Sequence, residues 1–177
     1  MSAKIYGKNM VLETAIELAK EIGIKKVSIR MIARKLGCSV SPIYDAYDSR
    51  DDLEKAMFET IIARQNNQGS YFERNNNVLV YGLTYPNLYL DIRKLSNKFK
   101  SFDKLYDDTI KLMKLEDPLK SFTEKELESL HFDLMIYITG LVEKSTAEFK
   151  DVIDIKEYQE VLKQVTSCFI IGYTHGR

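Results

Sequence analysis

Apolar residues recur along most of this chain at helical spacing. Leu12, Ala15, Ile16 and Ala19 lie on one face of a segment from Met10 to Ile22. They predict an amphipathic helix, closed by Gly23, a residue able to take the left-handed cap position. Ser28 stands as an N-cap before a second stripe of Ile29, Ile32, Ala33 and Leu36. Gly37 stops that helix after about two turns. Ile43, Ala46 and Tyr47 mark a third, short helix, and Asp48-Ser49-Arg50-Asp51 opens a fourth. The acidic first turn of the fourth suits the positive end of a helix dipole. Its buried face is Leu53, Met57, Phe58 and Ile61, and it runs toward Arg64. The expected core of this module is Leu12, Ile16, Ala19, Ile29, Ala33, Leu36, Ile43, Tyr47 and Leu53.

The stretch from Gln65 to Asn77 is polar and repeats asparagine. It reads as a short loop or a weak helix, and no function attaches to it. Beyond Val78 the pattern turns apolar and aromatic. Pro86, which lacks an N–H and clashes with a preceding helical turn, divides one helix ending near Thr84 from another running toward Leu95. A further helix is expected over Asp103–Leu115, ended by Asp117-Pro118. Thr123-x-x-Glu126 has the form of a capping box and opens the longest pattern, from about Glu124 to Phe149. Tyr158–Tyr173 is the last helix. No segment alternates as a β-hairpin would, and neither a repeat nor a heptad train is present. The fold class is therefore all-α.

Composition narrows the setting. Among 177 residues there are 3 Pro and 8 Gly, too few for a loop-rich chain. Cys38 and Cys168, far apart, form no disulfide framework. A reducing, cytoplasmic compartment is the simpler reading. The start has no apolar signal region, and no stretch is long and apolar enough to span a bilayer. Net charge is zero, but residues 1–50 hold nine basic and five acidic side chains. A basic front on an acidic body points to a polyanion as its partner, or to no more than a solvated surface.

Two helices meeting at a sharp turn with a central glycine form a helix-turn-helix. Such a unit sets its second helix in the major groove, about 12 Å wide, and reads base edges from that helix's N-terminal residues. The N-terminus of the first helix, at Ser28 with Arg30 beside it, offers N–H groups and charge to phosphate. The run of Ser28, Ile32-Ala33, Leu36-Gly37-Cys38-Ser39, Ile43-Tyr44, Tyr47, Ser49-Arg50 and Leu53 resembles the DNA-binding domain of the TetR family of bacterial transcriptional regulators. The likeness covers Val11 to Leu53, about a quarter of the chain. It implies a three-helix DNA-binding domain at 1–50 and a larger helical ligand-binding and dimerisation domain at 51–177, joined by a linking helix near 51–64. It also implies that Tyr44 and Arg50 match the family's phosphate-contacting tyrosine and lysine. Tyr85-Pro86-x-Leu88-Tyr89 looks like a segment of some members' regulatory domains.

Two positions depart from the family pattern. Pro42 sits where the recognition helix starts: at its third position if Ser39 is the cap, at its first if Ser41 is. The segment Val40-Ser41-Pro42-Ile43-Tyr44-Asp45 holds no Arg, Lys, Asn or Gln, the usual bidentate base readers. Ser39 and Ser41 are left to hydrogen-bond, Val40 and Pro42 to pack on a thymine methyl, and Asp45 to accept from a cytosine amino group. Phosphate contacts and DNA shape are then expected to supply much of the affinity. The arm with Lys4 and Lys8 either follows the backbone or is a frayed end.

The resemblance implies a homodimer built by the last two helices, with Leu134, Ile138, Leu141, Val142, Val165, Phe169 and Gly172 at the interface. It would place two recognition helices roughly 34–36 Å apart over a pseudo-palindrome. A small apolar or aromatic effector is the implied ligand. Candidates to line its cavity are Tyr81, Tyr85, Tyr89, Phe102, Tyr106, Met113, His131, Met135 and Tyr137, which serve equally well as core residues. The partners expected are thus double-stranded DNA, a second copy and that effector. His131 and His175 have no neighbouring ligand pattern, so no metal or other cofactor is implied. There is no glycine-rich phosphate loop or nucleophile elbow, so no enzyme is expected. The expected function is a repressor released by an effector. Two others remain open: a DNA-binding regulator whose body docks a protein, and a helical dimerisation protein that reads no sequence.

Overall fold

The computed structural model describes residues 6–66, 69–99, 102–147 and 154–175, without the side chains at 66, 97, 102–107, 147 and 175. Among these residues there are nine α-helices and no strand. They divide into two compact units. One takes the described chain up to Arg64 together with Asn87–Phe99; the other takes Gln65–Pro86 together with the described residues after Phe99.

In the first unit α1 spans Lys8–Ile22, a little longer than its apolar pattern, with Gly7 as its cap. Gly23 ends it at φ 86° and ψ 155°, a positive-φ conformation other than the left-handed helical one expected. A Cβ there would stand 2.6 Å from the Asp91 carboxylate, and that carboxylate accepts from the Lys25 N–H at 3.1 Å. Glycine is needed here both for its dihedral and for the close approach. A 3-10 turn, Ile24–Lys26, leads to α2, Ile29–Leu36. The Ser28 hydroxyl accepts from the Met31 N–H at 3.3 Å, as its N-cap position predicts. Ser28→Ala is expected to cost about 1 kcal/mol of stability, read as a lower urea midpoint at unchanged slope.

α3 spans Ser41–Ala46 and α4 spans Arg50–Asn66. Ser49 caps α4: its hydroxyl accepts from the Asp52 N–H at 3.1 Å and donates to the Asp52 carboxylate at 2.8 Å. Ile16, Ala19, Ala33, Ile43, Tyr47 and Leu53 are buried as expected, while Leu12, Ile29 and Leu36 are only half-buried. Val11, Ala15 and Ile32 complete the core. The sequence places a domain boundary after residue 50, whereas by packing α4 up to Arg64 belongs with α1–α3. Leu53 and Met57 close on Ile24, Val27 and Ile32 around one small void, and Arg64 pairs with Glu13 of α1. That guanidinium holds the Glu13 carboxyl below its ordinary range. Residues Asn87–Phe99 of α6 (Pro86–Phe99) join the same unit. Phe99 meets Phe58 with ring centroids 5.4 Å apart.

In the second unit α5 spans Tyr71–Thr84, so most of the asparagine-rich stretch is helix. The reason is local: Ser70 and Glu73 form a capping box, each serving the other's backbone N–H. Tyr85 ends α5 and Pro86 begins α6, as the missing proline N–H requires. α7 covers Phe102–Met113 and a 3-10 turn Asp117–Leu119. α8 covers Glu124–Ala147 and α9 Ile155–His175. The predicted Thr123–Glu126 capping box is present, with its two backbone bonds at 2.7 and 3.3 Å. Leu127, Leu130, Leu134, Ile138 and Val142 form the wholly buried stripe of α8. Tyr71, 1 % exposed, bonds through its hydroxyl to His131 Nδ1 at 3.1 Å. Burial pushes its phenol well above the ordinary value.

Candidate nucleic-acid interface

The turn between α2 and α3 is set by one glycine. Gly37 lies at φ 70° and ψ 37°, and its N–H bonds the Ala33 and Arg34 carbonyls. The Cys38 N–H then reaches back to the Ala33 carbonyl at 3.0 Å. Nothing lies within 4 Å of a Cβ built at Gly37, so the demand is for the dihedral and not for space. The chain is thereby free to turn sharply into α3.

Neither expected cap begins α3. Its N-cap is Val40, with no side-chain bond, and the Val40 carbonyl accepts from the Ile43 and Tyr44 N–H groups at 3.1 and 3.3 Å. Ser41 is then the first residue and Pro42 the second. Proline is tolerated at this position because its missing N–H has no partner in the first turn. Six residues give little more than one and a half turns. Ile43 faces inward at 0 % exposure. Outward stand Ser39, Ser41 and Asp45, with Val40 at 40 % and Tyr44 at 52 %, while Pro42 is half-buried. The structure therefore brings Val40, Ser41, Tyr44 and Asp45 to one exposed surface, adjoining the turn at Ser39. The Lys8 ammonium lies 4.8 Å from the ring centre of Tyr47, the residue that closes α3. Lys4 lies outside the described residues.

The remaining expected contacts divide. Arg30 is exposed on the first turn of α2, with Lys25 and Lys26 exposed just before it. The Ser28 hydroxyl is engaged as a cap. Arg50 has a structural role that sequence reasoning missed. It donates to the Lys25 carbonyl at 2.8 Å and to the Val27 carbonyl at 3.3 Å, and it pairs with Glu54 at 3.6 Å. Glu54 is 6 % exposed and also receives Lys98 at 3.0 Å. That hydrogen bond raises the Lys98 ammonium above its usual value. A basic residue four before a glutamate was the only sequence signal; its carbonyl partners lie more than twenty positions away. Arg50→Ala is expected to destabilise the unit by about 2 kcal/mol, since it takes the donor from the part-buried Val27 carbonyl and leaves the buried Glu54 carboxylate with Lys98 as its one cation. Arg50→Lys keeps the charge but loses the planar fork, so in thermal unfolding it should recover only part of the loss.

The expected effector residues do not gather around one cavity described within the second unit. Tyr81 and Tyr85 meet edge to face, 5.2 Å apart. Met113 is wholly buried, His131 is held to Tyr71, and Met135 and Tyr137 are half-buried. Tyr89 is buried in the first unit. The side chains of Phe102 and Tyr106 lie outside those described. A cavity of about 590 Å³ between α5 and α9 is lined by none of these residues.

The expected dimer residues need correction. Leu134, Ile138 and Val142 are 0 % exposed within the single chain, so they belong to its own core and have no surface for a partner. Leu141, Val165 and Phe169 are half-buried and Gly172 is exposed. The apolar side chains exposed on α8 are Phe132 at 64 % and Ile136 at 55 %, in line with the exposed Gly140; Ile171 at 55 % stands beside Gly172 on α9. Cys168, exposed, lies on the same stretch of α9.

Comparison with known proteins agrees with this geometry. The family described as bacterial regulatory proteins, tetR family, matches residues 11–57, which run from α1 into α4. No curated protein matches the chain. Among solved structures, the chain is similar to a single-substitution variant of TetR from Acinetobacter baumannii AYE in complex with minocycline. The TM-score is 0.62 at 16 % identity, over 95 % of this chain and 96 % of that one, which shows a shared fold. Residues 11–57 thus match the tetR-family model, and the chain as a whole shares the fold of that TetR, a helix-turn-helix unit followed by a helical second unit.

Proposed function

We propose that this chain is a DNA-binding regulator of the TetR family, a repressor that binds a pseudo-palindromic operator as a homodimer and is released by a small-molecule effector. The observation that carries the reading is the exposed surface of α3, presented by the Gly37 turn, with Lys25, Lys26 and Arg30 exposed at the start of α2. The exposed faces offer no Arg, Lys, Asn or Gln on α3 itself, and Asp45 repels phosphate. Affinity is therefore assigned mostly to backbone contacts and DNA shape, with Ser41, Val40 and Tyr44 supplying the local fit. The homodimer is supported by Phe132, Ile136 and Ile171, large apolar groups left in water on α8 and α9. Release by an effector is supported by the neighbour's complex with minocycline. Release follows if the effector favours a conformation that cannot bind DNA by a few kcal/mol. No helix among the described residues is long and apolar enough to cross a membrane, in keeping with action on DNA in the cytoplasm.

The test is a salt-titrated binding assay on the DNA flanking the protein's own gene, beside a scrambled duplex. Tight, palindrome-dependent binding by two chains, weakening steeply with salt, is the expected result. Equal and weak binding to both duplexes would overturn the operator reading.

A further inference from the structure

Two side chains from different helices hold the short segment between α1 and α2. The Lys25 N–H donates to the Asp91 carboxylate of α6 at 3.1 Å. The Lys25 carbonyl accepts from the Arg50 guanidinium of α4 at 2.8 Å. Both backbone polar groups of one residue are thus bound by a full charge, an anion on the donor and a cation on the acceptor. Arg50 also reaches the Val27 carbonyl at 3.3 Å. Gly23, without a side chain, lets α6 approach until the Asp91 carboxylate lies 2.6 Å from where a Cβ would stand. Ile24 and Val27 are buried on either side, so Lys25 and Lys26 are the exposed part of the turn. The direction of Arg50 is itself set: Glu54, 6 % exposed, pairs with it at 3.6 Å and with Lys98 of α6 at 3.0 Å.

The segment so held leads directly into the basic start of α2, where Lys25, Lys26 and Arg30 are exposed. Contacts to phosphate fix how a protein sits on the duplex, and hydrogen bonds weaken steeply with misalignment. The three guanidinium nitrogens of Arg50 are each engaged within the fold, and Asp91 carries the same sign of charge as phosphate. We infer that Asp91 and Arg50 are positioning residues for DNA-backbone contact: they fix the Lys25 peptide groups, and through them aim Lys25, Lys26 and Arg30, while neither side chain itself meets phosphate. Arg50 thereby departs from the phosphate-contacting role that the family resemblance implies. Helix α6 supports DNA binding through Asp91 without touching DNA. This role rests on the proposed DNA binding, but not on an operator, a dimer or an effector.

The test titrates the full chain onto two duplexes, the DNA flanking its own gene and a scrambled one, over a range of salt. Asp91→Ala removes a negative charge beside basic residues, so charge alone would tighten binding. Positioning predicts the reverse: about tenfold weaker binding to both duplexes near 0.1 M salt and a salt slope shallower by about 1, the loss of one phosphate contact. Asp91→Asn keeps an acceptor for the Lys25 N–H and should bind at least as well as wild type. Arg50→Lys supplies a lysine able to meet phosphate but not to span two carbonyls, and should bind about fivefold more weakly, one hydrogen bond's worth. In a chain already carrying Lys25→Ala, Lys26→Ala and Arg30→Ala, adding Asp91→Ala should change affinity by less than about twofold, because the side chains it aims are gone. A general loss of structure would weaken both backgrounds alike. Exchange of the Lys25 amide proton, followed by NMR, should quicken in Asp91→Ala and not in Asp91→Asn. The Asp91 bond lies at the surface, so the variant should fold, which thermal melting checks; if it does not, Arg50→Lys decides alone. Tighter or unchanged binding by Asp91→Ala, full affinity in Arg50→Lys, or an equal loss in both backgrounds would overturn the inference. Wild-type binding that is equal on the two duplexes refutes the operator alone and leaves the variant pattern readable. A wild type that prefers its operator while Asp91→Ala binds as well refutes the positioning role alone. A wild type that binds neither duplex overturns both.

Discussion

Ile136→Glu is expected to yield a folded monomer whose operator affinity falls by about two orders of magnitude or more. Ile136 is 55 % exposed, and on the same face of α8 stand Phe132 at 64 % and the exposed Gly140. The core stripe of Leu134, Ile138 and Val142 lies on the opposite side of the helix. A charge at 136 therefore meets water in the single chain and should leave its stability within about 0.5 kcal/mol. In the proposed dimer the same carboxylate would be buried against an apolar partner surface, at a cost that no neighbouring cation offsets. Each head alone makes too few contacts for tight binding, and the effective concentration that links the two half-sites is lost with the dimer. Sedimentation velocity and the salt-titrated binding assay together decide the matter. A dimer that persists in Ile136→Glu with unchanged operator affinity would rule out this face as the interface.

Ile43→Ala should cost the first unit about 2–5 kcal/mol and abolish DNA binding before that unit unfolds. α3 has six residues, too few to be stable alone. Ile43 is its only buried residue, and Tyr47, buried just beyond it, cannot fix the helix's rotation by itself. Truncation leaves a cavity beneath α3 and frees the helix to shift, so Val40, Ser41 and Tyr44 lose their common orientation. Urea unfolding measures the first effect. Operator binding at low denaturant, where circular dichroism shows the helices intact, measures the second. A stability loss below about 1 kcal/mol, well under the range for such a truncation, or DNA binding kept intact, would mean that α3 is held by contacts other than Ile43.

Much of the local structure was legible because its causes lie within four residues of each other. Ser28 caps α2, Gly37 takes the left-handed turn, the Thr123–Glu126 box opens α8, and Pro86 divides α5 from α6. The same range of reasoning missed Ser70 and Glu73, whose box begins α5, because the polar asparagines after them masked the helical period. Asn75 stands one turn after Tyr71 and one before Leu79, all three buried. That spacing was the available sign that a polar residue had entered the core.

Long-range relations were not legible. Arg50 reads as a free phosphate contact in sequence, yet its guanidinium is tied to the carbonyls of Lys25 and Val27. Helix α8 has apolar residues on two faces. Periodicity found the stripe that includes Leu134, Ile138 and Val142, but it could not say that this stripe turns inward within the single chain while Phe132 and Ile136 remain in water. The sequence alone determined an all-helical chain, the helix ends at Ser28, Gly37, Pro86 and Thr123, and the helix-turn-helix motif, since these follow from backbone dihedrals and neighbouring hydrogen bonds. Only the tertiary structure decided which face of each helix is core and which charges are engaged, because those depend on residues that the chain brings together from far apart.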